Sequence, residues 1–114
     1  MISRVYQMLG LATKAGKTKS GSFLAEDCVR KRKARLVLIA GDAEGNTRKC
    51  LEDKCRSYQV PVVYYGTKAE LGHAMGQGIR SCVAVTDAGF ADRIGELVKM
   101  QQEERGSDGE NENQ

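Results

Sequence analysis

Val5, Met8, Leu9 and Ala12 recur at helical spacing and predict an amphipathic helix from residue 3 to about 14, with Gly16 as a left-handed stop. Thr18 and Lys19 can begin a very short strand. A second helix then carries Leu24, Ala25, Cys28 and Val29 on its inner face, with Ser22 as a suitable N-cap and Arg30 to Lys33 in its last turn. The continuous apolar run Arg35 to Ala40 reads as a strand buried on both faces, and Pro61 to Tyr65 as a second buried strand. Between them lies a third helix, capped by Asn46 or Gly45, with the stripe Thr47, Leu51, Cys55 and Tyr58. Thr67 and Glu70 form a capping box before a helix with an inner face of Leu71, Ala74 and Met75, stopped by Gly76. Cys82 to Val85 is a further strand. A last helix starts at Asp87 or Ala88 with Phe90, Ile94, Leu97 and Val98 as its stripe.

Helix and strand thus alternate, which predicts an α/β domain with helices on both faces of a central sheet of about four strands. In such sheets ligands bind in loops at one rim. One domain over residues 1–100 is expected. The polar, acidic stretch 101–114 is expected to be a disordered tail.

Charge is placed unevenly along the 114 residues. Residues 1–49 hold eleven Lys/Arg against four Asp/Glu, and the rest of the chain is net acidic, for a total of +3. A basic first half suits a polyanionic partner. The longest clean apolar run, Leu36 to Ala40, is too short to span a bilayer, so a soluble, cytoplasmic protein is expected, with no membrane partner. The four cysteines, at 28, 50, 55 and 82, match no zinc spacing and read as buried, reduced thiols.

Catalytic chemistry finds no constellation here. Gly10 to Thr18 resembles a phosphate-binding P-loop, but five residues separate Gly10 from Gly16 where the motif needs four, and a helix precedes it instead of a strand. His73 is the lone histidine and has no assignable nucleophile. The chain is expected not to be an enzyme and to need no metal or cofactor.

Two stretches remain. Lys17 to Phe23 is a cationic approach to the second helix, where Lys17, Lys19, Gly21 and the free N–H groups of Ser22 and Phe23 suit a phosphate or base edges. Gly76 to Cys82 is a glycine-bearing loop with one cation, Arg80. The basic run Arg30 to Arg35 suits either a phosphate grip or a solvated helix end. It lies too far from Ser22 to meet the same phosphates, since an eleven-residue helix is roughly 16 Å long.

In these residues the chain resembles the bacterial YlxQ-type branch of the kink-turn-binding ribosomal protein family. The likeness rests on Leu9 to Lys17, Ser20-Gly21, Lys33 to Ala43, Asn46 to Lys49, Val60 to Gly76 and Val83 to Ala91. The resemblance implies a three-layer α/β/α sandwich with a mixed sheet. It also implies binding of structured RNA, a kink-turn or ribosomal RNA, by a monomer that is ribosome-associated. It places the helix start Gly21, Ser22, Phe23 and Leu24 in the widened groove of the kink. The loop Gly78, Ile79, Arg80 and Ser81 would cover an extruded base, with Ile79 as the apolar contact. Asp42 matches an acidic position near the RNA face. Phe23 and Leu24 stand where the family usually has Asn-Glu to read sheared G·A pairs, so weak or altered kink-turn affinity is expected. The alternative is a protein-interaction module that kept the fold and lost RNA affinity. Charge reversal at Lys17, Lys19 and Arg80 separates the two.

Overall fold

A computed structural model describes the backbone of residues 3–113 and the side chains of residues 3–102. The elements run α1 (Arg4–Lys14), β1 (Thr18–Ser20), α2 (Ser22–Arg30), β2 (Leu36–Ile39), α3 (Gly45–Tyr58), β3 (Val62–Tyr64), α4 (Lys68–Ala74), β4 (Cys82–Val85) and α5 (Ala88–Asn113). The expected acidic tail falls almost wholly on side chains outside those described. Gln101 and Gln102 are the exception: they hydrogen-bond the hydroxyl of Tyr65 and, at 3.0 Å, the carbonyl of Tyr64.

The four strands form one mixed sheet in the order β1-β4-β2-β3. β4 pairs antiparallel with both β1 and β2, whereas β2 pairs in parallel with β3. Helices α1, α4 and α5 pack together, as do α2 and α3, and the two groups make the outer layers of an α/β/α sandwich. The central strands β2 and β4 are wholly buried, which explains their unbroken apolar runs. Leu9, Leu38, Ile39, Leu51, Leu71 and Ile94 are the largest side chains sealed in the core.

β3 departs from expectation. It is an edge strand, with Val62 and Val63 half-buried and Tyr64 exposed, because no strand pairs with its outer side. An apolar run reads the same in either position. The third helix has Glu44 at its N-cap, without a side-chain bond, where Asn46 or Gly45 was expected. The Thr67–Glu70 capping box forms in full. Gly16 and Gly76 both take positive φ, at 74° and 69°.

The cysteines are free, and three are buried, but Cys50 is exposed on the outer face of α3. Burial pushes the thiols of Cys55 and Cys82 up to about 11, and that of Cys28 in the same direction. At pH 8 one thiol of the four is therefore expected to react quickly with a thiol-specific dye, and the other three only on unfolding. Fast labelling of two or more in the native protein would contradict this packing. No helix among the described residues is long and apolar enough to cross a membrane.

Candidate nucleic-acid interface

The site begins with Gly21. Its backbone, at φ 91° and ψ 156°, lies in a region essentially closed to residues with a Cβ. It turns the chain from β1 into α2 within one residue, and its N–H still donates to Cys82 O of β4 at 2.9 Å. Gly21, not Ser22, is thus the N-cap, and Ser22 is the first helical residue. A glycine cap has no side chain to offer. The first helical amide bond is Ala25 N to Gly21 O at 2.9 Å, so the N–H groups of Ser22, Phe23 and Leu24 point outward without a cap. Phe23 is 76% exposed and Leu24 47%.

The loop from Gly76 to Ser81 lies beside this helix start, fixed from three directions. Gln77 N donates to Gly72 O at 2.8 Å, Arg80 N to Lys68 O at 3.1 Å, and Ala40 N to Ser81 O at 2.8 Å. Gly72 admits the loop: a Cβ there would lie 1.8 Å from Gly78 O. Ile79 projects from the loop and is 68% exposed.

Ser20 joins the two parts. Its hydroxyl donates to Gln77 Oε1 at 2.7 Å and accepts from Arg80 Nε at 3.2 Å. Arg80 Nη1 donates in turn to Ile79 O at 2.9 Å. Both acceptors are neutral, so the guanidinium is oriented while its charge stays uncompensated. Asp42 serves a supporting role. Its carboxylate accepts from Lys68 N at 2.8 Å and so caps α4 below the loop. Lys68 Nζ pairs with Glu44 at 2.6 Å; that hydrogen bond lowers the Glu44 pKa and raises that of Lys68.

Of the residues singled out in the sequence, Gly21, Ser22, Phe23, Leu24, Gly78, Ile79, Arg80 and Ser81 come together at one rim. Lys17 does not. Strand β1 carries it to the opposite rim, about 13 Å from Gly21 along the chain, where Thr86 N donates to Lys17 O at 2.9 Å. Lys19 is exposed midway along the edge. Sequence reasoning missed Ser20, Gln77 and Gly72 as parts of the site. Ser20 had a visible sign, its place in the Ser20-Gly21 step, whereas the partnership with Gln77 exists only in the fold.

This geometry sits within a known lineage. The profile of the ribosomal protein L7Ae/L30e/S12e/Gadd45 family matches residues 3–94. The chain belongs to that family. Within it the chain is YlxQ-like: it is 42% identical over 93 residues to "RNA-binding protein YlxQ" of Bacillus subtilis (strain 168), covering 82% of this chain and 93% of that one. A more distant relative, "Large ribosomal subunit protein eL8" of Cenarchaeum symbiosum (strain A), is 29% identical over 86% of this chain and 79% of its own. A solved structure from Bacillus halodurans C, described as a protein of unknown function, superposes with a TM-score of 0.83. It is 35% identical and covers 86% of this chain and 99% of its own. In this family member the α/β/α sandwich presents the Gly21 helix start and the Ile79 loop at a common rim.

Proposed function

We propose that this family member binds structured RNA without catalysis, gripping a kink-turn-like element or ribosomal RNA at the rim formed by α2 and the Gly76–Ser81 loop. The observation that carries this reading is the uncapped start of α2 held beside an oriented Arg80 by Ser20. Three amide donors and a guanidinium converge on one place, which suits phosphate oxygens and base edges. Phe23 and Ile79 add apolar surface on either side, suited to stacking or covering unpaired bases. The relatives named as RNA-binding and ribosomal proteins support the same reading.

Neither Phe23 nor Leu24 can hydrogen-bond through its side chain, so contacts to guanine edges fall to backbone amides. Discrimination between kink-turn sequences is therefore expected to be weak, and affinity to rest on stacking and charge. In a calorimetric titration against a standard kink-turn RNA, Phe23→Ala is expected to weaken binding by about 1–3 kcal/mol. It should leave the melting temperature unchanged, since this side chain is mostly solvated. Tight, magnesium-insensitive kink-turn binding that survives Phe23→Ala would refute this division of labour. A protein partner is the second reading, favoured by the exposed trio Phe23, Leu24 and Ile79. It leaves the three free amides and Arg80 without a purpose.

A further inference from the structure

The basic run after α2 and the displaced Lys17 are left over by the site above, and the fold brings them together. Helix α2 ends at Arg30, one residue into the run, with Lys31 at the C-cap. Arg30 and Lys31 share one carboxylate, that of Asp27, at 3.2 and 3.0 Å, so one of their two charges is compensated. Arg32, at φ 60°, turns back so that its guanidinium lies 5.0 Å from the ring centre of Tyr58. Lys33 and Arg35 have no such partners among the described residues and are exposed.

Arg35 N donates to Val85 O at 2.7 Å, at the same end of β4 where Thr86 N donates to Lys17 O. Lys17 and Arg35 therefore flank one strand end, two interstrand spacings or about 10 Å apart. Lys19 faces the α2 side of β1, where the buried thiol of Cys28 feels the charge of Lys19, opposed by Asp27, and then those of Lys33 and Lys31. Asp87 follows Thr86 at that strand end, and its carboxylate accepts from Phe90 N at 2.9 Å as the cap of α5. Lys19, Lys17, Lys33 and Arg35 thus form a cationic edge that starts beside the Gly21 turn and runs to the far rim.

We infer that this edge is a second phosphate-binding surface, which holds the backbone of an RNA stem leading away from the α2 start. The inference rests on the RNA-binding reading above and extends it: the bound RNA is longer than the element held at the rim. A solvated helix end would not require Lys17, from another element, to join the run.

The test compares two RNAs with the full chain by fluorescence anisotropy from about 50 to 300 mM KCl, the range over which phosphate contacts show their salt dependence: a minimal kink-turn, and the same element with one stem extended by about one helical turn. The extended RNA is expected to bind tighter and with a steeper salt dependence. The double variant Lys33→Gln/Arg35→Gln should lose that gain, lowering the log–log salt slope by about 2 on the extended RNA. Its affinity for the minimal RNA should be unchanged, which also shows that the variant is folded. Equal slopes for wild type and variant on the extended RNA would overturn the second surface alone. Failure of the wild type to bind either RNA would overturn the RNA-binding reading and this inference with it.

Discussion

Replacing Gly72 with alanine is expected to destabilise the protein by about 2–3 kcal/mol and to weaken RNA binding in the same step. Glycine inside a helix ordinarily costs roughly 0.5–1 kcal/mol relative to alanine, so an alanine usually stabilises. Here the sign reverses. The added Cβ would lie 1.8 Å from Gly78 O and 2.7 Å from Gly78 C, both backbone atoms that cannot swing aside. The loop must shift, and with it the 2.8 Å bond from Gln77 N to Gly72 O and the position of Ile79. Gly95 is the control. It lies in α5, where an added Cβ would meet nothing within 4 Å, so Gly95→Ala is expected to be neutral or stabilising by up to about 1 kcal/mol. Urea unfolding of both variants measures the first effect and anisotropy the second. A Gly72→Ala protein as stable as the wild type would show that the loop has freedom not expected from its three anchors.

Arg80→Glu is expected to abolish RNA binding while leaving stability within about 0.5 kcal/mol, the usual range for surface substitutions. The guanidinium is half-buried and bonds only to Ser20 Oγ and its own neighbour's carbonyl, so the core does not depend on it. A charged hydrogen bond is worth about 1.5–3 kcal/mol, tenfold or more in affinity. The glutamate adds repulsion where an anion should sit. Ser20→Ala gives the graded version: charge is kept, orientation is lost, and a smaller decrease is expected. Full RNA affinity in Arg80→Glu, measured by gel shift, would move the site away from this rim.

Much of the architecture was legible because its signals are local. The buried runs at 36–39 and 82–85, the capping box at Thr67 and the glycine stops at 16 and 76 each depend on a few neighbouring residues. The helix start was found one residue late because serine and glycine are both good N-caps, and only φ at Gly21 decides between them. Lys17 and Gly21 looked like one motif in sequence. The extended chain between them separates the two rims of a sheet, a distance that adjacency in sequence conceals. Gly72 carried no signal in the sequence, because the backbone it admits arrives from five and six residues further on. The hydroxyl of Ser20 became informative only once β1 lay beside the loop that carries Gln77 and Arg80.

The edge strand β1 has a consequence for self-association. Any open sheet edge is a template on which another chain can add a strand. β1 offers three residues, with Lys19 exposed at its centre and Lys17 at its entry, so an incoming strand would gain few ladder bonds and would have to bury a charge. At the opposite edge the carbonyl of Tyr64 is already taken by Gln102. The lysine proposed to face an RNA backbone thus also guards the same edge against aggregation in the free protein.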